Sequence, residues 1–352
     1  MEREEVIRLH EQAVLDTACE LFDIGKDGLR AFASYEGCAN LVYEYEHQGQ
    51  PRILRISFRP DRTAEQIQAE LHFVNYLAEN QVRVSMLVPS QNGKLFETIS
   101  IAETPLYVVS FVKGRGMRVP DNGYRYRENV PIEEYFQNWG RVLGQMHALS
   151  KGYRPLSDQT RRPEWFDIHQ SRLALETRVP ARLSVVRDRI RSLLVEVRAL
   201  AKDRDAYGLI HGDFNDGNFT VDYDNGDMTV FDFDDCCYFW FIYELASAWE
   251  GGIGRVMFQG LAERKAFMDH YMDQVMEGYT RENELSAEWM ARLPMFVRLI
   301  QVEEFLHFVQ YIDDPDQEMQ ARLNYLIKCI EDDLPYKGFF DRIYSPERPF
   351  LL

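Results

Sequence analysis

No run of apolar residues in this sequence approaches the length needed to cross a bilayer as a helix, and no Lys/Arg-rich tract of the kind that grips nucleic acid occurs. A formal net charge of −17 would repel phosphate backbones and anionic lipid, so nucleic acid and membrane drop out as expected partners. Cysteine is scarce. Cys19, Cys38, Cys236, Cys237 and Cys329 make an odd count of five with no C-x-x-C pair and no metal-ligand spacing, which fits a reducing, cytoplasmic home. The opening Met1-Glu2-Arg3-Glu4-Glu5 is too acidic for a signal or transit peptide and points the same way. Repeats and low-complexity tracts are missing as well.

What is present is apolar surface in quantity. Of 352 residues, 45% are hydrophobic, 13% aromatic and 28% charged, enough to offset chain entropy and more than one typical core supports. Two joined lobes are expected. The acidic balance would favour a cationic substrate, although a solvated acidic surface that keeps a protein soluble is the commoner reason for such charge.

The first segment, to about Leu21, reads as a helix, and the alternation from Phe32 to Ser57 suits strands. Leu41 to Tyr45 and Ile53 to Ser57 flank the turn-like His47-Gln48-Gly49-Gln50, which predicts a hairpin. From Ala64 the apolar period becomes helical through Ile67, Leu71, Val74 and Leu77, with Pro60 and Asp61 just upstream as start signals. Leu106 to Val112 reads as a buried strand that the two glycines of Lys113-Gly114-Arg115-Gly116 break, and the lobe boundary is expected there. Helical spacing then dominates, as in Ile132, Phe136, Trp139 and Leu143, or Leu299, Val302, Leu306 and Val309. The exception is Gly208 to Phe233, where β-prone runs surround the turn signal Asp224-Asn225-Gly226-Asp227. A basic, Pro-containing stretch from Arg154 to Pro163 reads as a solvated connector.

The chemistry concentrates in Leu209-Ile210-His211-Gly212-Asp213-Phe214-Asn215-Asp216-Gly217-Asn218-Phe219, followed after a hairpin by Val230-Phe231-Asp232-Phe233-Asp234-Asp235. One strand leaves Asn218 and its partner returns to Asp232, so these two residues should end side by side, with Asp213 one short loop upstream. Two carboxylates and an amide oxygen are hard ligands suited to Mg²⁺, which borrows further oxygens from substrate phosphates. Phosphoryl transfer needs this inventory: a metal to neutralise phosphate oxygens and one carboxylate to align the attacking hydroxyl and take its proton. On this reading Asp213 is the base, and Asn218 and Asp232 hold the metal.

H-G-D-F-N-D-G-N followed by F-D-F-D-D resembles the catalytic signature of the aminoglycoside phosphotransferase and choline/homoserine kinase-like superfamily. The resemblance implies an α+β, bilobal protein-kinase-like fold. Residues 1–112 would form a small N-lobe with an antiparallel sheet and one main helix, and residues 113–352 a larger, mostly helical C-lobe. It implies ATP and Mg²⁺ as cofactors and a small, amine-bearing molecule as acceptor. Gly212 stands where protein kinases carry arginine, and Asp234 replaces the glycine of D-F-G. In the first lobe, Glu36-Gly37-Cys38-Ala39-Asn40 matches the nucleotide-covering loop, with Gly37 and Asn40 as cofactor contacts. Arg55 occupies the position of the lysine that pairs with α/β-phosphates, and Glu70 that of the glutamate anchoring it. Val109 to Lys113, with Ser110 and Val112, matches the hinge that would serve adenine. Phe241 to Ala246 resembles the family's post-catalytic helix, with Glu244 where Asp is more usual.

His211 reads as structural, holding the loop, and Tyr238, Phe239, Trp240 and Trp249 read as core. Asp234 stands open between a metal or substrate role and a surface one, while Glu250, Glu303 and Glu304 lie on second-lobe helices where the resemblance implies substrate contacts, though singly they read as solvated. A bacterial protein Ser/Thr kinase on the same scaffold, a nucleotide-binding pseudokinase favoured by Arg55 and the single-glycine loop, and a metal-dependent hydrolase on His211-x-Asp213 are the rival readings.

Overall fold

The computed structural model describes residues 3–25, 28–31, 40–59, 62–101, 104–255 and 260–333. The expected covering loop, with Gly37, and the start signals Pro60 and Asp61 lie outside the described residues, as does the opening of the first strand run.

The chain begins with α1 (Arg3–Phe22), β1 (Arg30–Ala31), β2 (Asn40–His47), β3 (Gln50–Ser57), α2 (Ala64–Glu79), β4 (Leu87–Val88), β5 (Glu97–Ile101) and β6 (Thr104–Val112). The six strands form one sheet in the order β1-β2-β3-β6-β4, with β5 also on β6, and every pairing is antiparallel. The hairpin predicted around Gln48-Gly49 is present, both turn residues taking positive φ. Side-chain alternation then sorts the sheet's two faces. Leu54, Ile56, Leu106 and Val108 pack with Val14, Ala18 and Phe22 of α1, whereas Tyr107 and Val109 pack with Ile67 and Leu71 of α2. Arg55, between Leu54 and Ile56, must therefore point toward α2. Thr63, whose hydroxyl accepts from the Gln66 amide, caps that helix.

Past Val112 come α3 (Ile132–Ser150), α4 (Trp165–Ile168), α5 (Leu175–Arg178), α6 (Ser184–Arg198), β7 (Tyr207–Ile210), β8 (Phe219–Val221), β9 (Met228–Val230) and β10 (Cys237–Trp240). The remaining helices are α7 (Ile242–Gly254), α8 (Leu261–Thr280), α9 (Ala287–Met290), α10 (Leu293–Phe308) and α11 (Gln317–Glu331). α3 and α8 cross at glycine: a Cβ on Gly140 would lie 1.8 Å from the Val275 carbonyl oxygen, and one on Gly278 would lie 1.9 Å from that of Gln137. Phe73, Val74 and Leu77 of α2 join the large core that also holds Trp139, Phe214, Phe219 and Phe233. α2 thus faces the sheet on one side and the second half of the chain on the other. Backbone bonds from Val230 N to Arg83 O and from Ser85 N to Val230 O stitch the two halves together.

Candidate active site

The segment after β7 folds as its spacing predicts. β8 and β9 pair antiparallel across the Asn225-Gly226 turn, with Phe219 opposite Val230 and Gly226 at φ +84. The Phe231 amide donates to the Asn218 carbonyl at 2.9 Å, which brings Asn218 beside Asp232. Asp232 itself is left-handed at φ 64, ψ 57, a conformation Asp tolerates better than most residues.

Asp213 is held on both carboxylate oxygens. Asn215 Nδ2 donates to Oδ1 and Asn218 Nδ2 to Oδ2, each at 2.8 Å, and Asn218 Nδ2 also reaches the Asp213 carbonyl at 2.8 Å. Burial raises this carboxyl above its ordinary value and the Asp235 charge adds to the rise, while His211 and the two amides oppose it. His211 is 1% exposed. Its Nε2 lies 2.9 Å from the Phe231 carbonyl, which can only accept, and its Nδ1 lies 3.3 Å from the Asp213 amide, which can only donate. The proton therefore sits on Nε2 and both nitrogens are committed, so the imidazole braces the loop.

The loop is also gripped from behind. Glu244, buried in α7, accepts from the Gly212 amide at 2.9 Å and from His147 Nε2 at 2.8 Å. His147 Nδ1 in turn meets the Tyr279 hydroxyl at 2.9 Å, which Asn283 Nδ2 also engages at 2.7 Å. At Gly212, φ is +90 and a Cβ would come within 2.3 Å of the Asp235 carbonyl, so no arginine fits where protein kinases carry one.

Opposite the loop, Arg55 Nη2 bridges both oxygens of Glu70, at 2.7 and 2.9 Å, and its Nη1 lies 3.9 Å from Asp232 Oδ1. Burial works against the Arg55 charge, but Glu70, Asp234 and Asp232 together raise its pKa and keep it cationic. Desolvation pushes Asp232 up to about 6, with Arg55 pulling it down and Asp234 pushing the same way as burial. Its side chain nevertheless keeps 46% of its surface exposed. A half-open carboxylate with a raised pKa suits a cation. Asn218, whose amide nitrogen is spent on Asp213, retains Oδ1 as an acceptor. Among the described residues no group of three or more His, Cys, Asp or Glu side chains is arranged to hold a metal alone. These two oxygens fit a divalent ion that completes its shell with phosphate and water.

The remaining expected contacts are partly spoken for. Ser110 is fully buried with Oγ 2.6 Å from the Tyr45 hydroxyl, and the Val112 amide donates to the Met86 carbonyl at 2.8 Å. Asn40 Nδ2 is turned to Asp234 Oδ2 at 3.1 Å. Asp234, left open by the sequence, is occupied by protein cations: Arg62 Nε at 3.2 Å and Arg59 Nη1 at 3.1 Å. Burial opposes its ionisation, yet Arg55, Arg62 and Arg59 hold it well below the usual carboxylate range.

Three readings need correction. The Arg154–Pro163 stretch is not simply a solvated connector, because Arg162 is 1% exposed and donates to the Asp234, Cys236 and Gln66 carbonyls. Glu303 and Glu304 are not solvated either; their side chains are 17% and 12% exposed. Glu304 pairs with Arg322, and Glu303 accepts from the Tyr243 hydroxyl at 2.9 Å and lies 3.6 Å from His169 Nε2. Burial pushes Glu303 up to about 7, and the Asp213 charge contributes. Nothing in local spacing marks Arg59, Arg62 or Glu303, whose partners lie far along the chain.

A model of the phosphotransferase enzyme family matches residues 32–285. The amicoumacin kinase of Bacillus subtilis (strain 168) is 30% identical over 336 residues, covering 94% of this chain and 95% of that protein. Among solved structures, amicoumacin kinase hAmiN in complex with AMP-PNP, Ca²⁺ and Ami superposes with a TM-score of 0.81 at 29% identity, over 95% of this chain and 97% of that one. A microcompartment-associated aminopropanol kinase gives 0.71 at 23%, over 93% and 99%. With its antiparallel sheet, helical second half and bilobal protein-kinase-like architecture, the chain belongs to the phosphotransferase enzyme family.

Proposed function

We propose that this phosphotransferase moves the γ-phosphate of ATP onto a hydroxyl of a small, amine-bearing molecule, with residues 1–112 covering the nucleotide and residues 113–352 supplying the catalytic loop and the acceptor wall. The observation that carries this reading is Asp213, fixed on both oxygens by Asn215 and Asn218 beside Asp232 and across from the Arg55–Glu70 pair. Asp213 orients the acceptor hydroxyl, and its carboxylate takes the proton; its raised pKa makes it a better base than an aspartate at the ordinary value. Arg55, oriented by Glu70, grips the α/β-phosphates. Asn218 Oδ1 and Asp232 would hold Mg²⁺, whose chemistry when bound is to neutralise charge on the phosphate oxygens. Asn40, tied to Asp234, anchors the end of the covering loop that contains Gly37. Adenine would rest at Ser110 to Val112, where the exposed Met86 and Met117 offer apolar surface.

The amine is supported by Glu303. A carboxylate raised to about 7 gains from a cation, and its neighbour His169, pushed down to about 4 by burial and Arg172, supplies none near neutral pH. The aminopropanol and amicoumacin kinases among the relatives support a small acceptor. Four described cysteines, all buried, suit a reducing home, and the cytoplasm is the proposed one. ATP consumption measured across amino alcohols, hydroxy-amino acids, cholines, aminoglycosides and neutral sugars tests the reading. Turnover with an amine-bearing alcohol is the expected result; turnover confined to neutral sugars would overturn the amine, and none with any acceptor the transfer.

A further inference from the structure

The densest charge cluster in the cleft lies outside the residues given roles above. Arg62, with a side chain 2% exposed, donates through Nε to Asp234 Oδ1 at 3.2 Å and through Nη2 to the Asp234 carbonyl at 2.6 Å and Asp235 Oδ1 at 3.0 Å. Arg59 Nη1 reaches Asp234 Oδ2 at 3.1 Å and Asp235 Oδ1 at 2.9 Å. Both arginines sit on the connection between β3 and α2, so they lie between Arg55 and Glu70, while Asp234 follows Asp232 by two residues. Arg162 closes the cluster from below, joining the carbonyls of Asp234 and Cys236 to that of Gln66 in α2.

A buried ion cluster is a poor device for stability alone, because desolvation consumes most of the Coulombic gain. It is a good device for fixing one arrangement of two surfaces, since guanidinium forks satisfy both carboxylates in few orientations. We propose that Arg59 and Arg62, closing on Asp234 and Asp235, are positioning residues: a clasp that sets the Arg55–Glu70 pair at a fixed height over Asp232 and so presents nucleotide phosphates to the catalytic loop. The clasp needs no added modification or partner. Asp234 serves the arginines and is no metal ligand.

The inference rests on the ATP-dependent reading, and the test separates the two. Binding of AMP-PNP with Mg²⁺ is measured by calorimetry on the full chain, wild type first; absence of binding there sinks the functional reading. Hydrogen exchange of the α2 amides without nucleotide tests the clasp independently. Arg59→Gln and Asp235→Asn, at the outer rim, and their double variant are expected to weaken AMP-PNP about tenfold each, with the double no worse than the weaker single. Arg59→Lys should restore part of the loss. α2 exchange should quicken in these variants while β7 and β10 stay protected. Unchanged α2 exchange together with wild-type affinity in folded variants would overturn the clasp, as would additive losses. Asp234→Asn whose affinity returns fully with excess Mg²⁺ would also overturn it, by making Asp234 a metal ligand.

Discussion

Asp213→Asn preserves the size of the side chain but removes its charge, its basicity and one of the two oxygens that accept from Asn215 and Asn218. We expect kcat to fall by about 10²-fold or more while AMP-PNP affinity holds, because general-base catalysis typically contributes about 10²–10⁴-fold. A kcat within about threefold of wild type would remove Asp213 from the role. Glu303 gives a pH test with a definite sign. Its pKa is raised from the ordinary 4.5 to about 7, so the folded state keeps the proton longer than the unfolded chain. Stability without acceptor should therefore fall as pH climbs from about 4.5 to 7, with the cost complete above that. Glu303→Gln should gain on wild type across that window, by about 3 kcal/mol at most, and should raise the acceptor KM. A difference in Tm that stays flat with pH would contradict the burial account. The juxtaposition of Asp213, Asn218 and Asp232 was legible because one loop and one hairpin carry all three. Arg162 and Glu303 were not, because their burial is decided by α2, α4 and α7, elements remote in the sequence.

Among elements, β3 and α2 meet through the Arg55–Glu70 ion pair, and the contact predicts non-additivity. Arg55→Ala and Glu70→Ala should each raise the ATP KM and lower kcat, and the double variant should lose little beyond the worse single. Additive, small effects would reduce the pair to an ordinary structural contact. The α3–α8 crossing makes a separate demand. A methyl at Gly140 or Gly278 meets backbone oxygen, which cannot swing aside, so either Ala variant should cost about 3 kcal/mol or more by thermal or urea unfolding. Both hairpins and the helix from Ala64 could be read from period and turn residues, since each signal is local. The α3–α8 pairing could not. A glycine at Gly140 reads as a weak point in a helix until the partner that needs the space is known.

Over the whole molecule, nucleotide and metal should act as one ligand bridging the sheet and the catalytic loop. Mg²⁺ with AMP-PNP should raise Tm, since a ligand at a hundred times its Kd adds about 2.7 kcal/mol. Asp232→Ala should abolish the Mg²⁺-dependent part of that rise; its survival would displace Asp232 as a ligand. The expectation of two lobes came from length and the change of period after Val112, but how they grip each other depends on Arg59, Arg62 and Asp234, distant residues of unremarkable spacing. The anchorage of the catalytic loop has a further consequence, for ancestry and change. Glu244 holds that loop by its backbone amides, through His147 and Tyr279, while Glu303 meets the neighbouring residue of α7, Tyr243. If Glu303 selects the acceptor as proposed, chemistry and choice of acceptor should change at different positions. Libraries confined to Glu303, with its core neighbours Val302, Phe305 and Leu306 kept, should yield more folded, ATP-binding descendants than libraries over His147, Glu244 and Tyr279. A lineage built this way would trade one acceptor for another by change at Glu303 while its phosphoryl chemistry passes on unaltered.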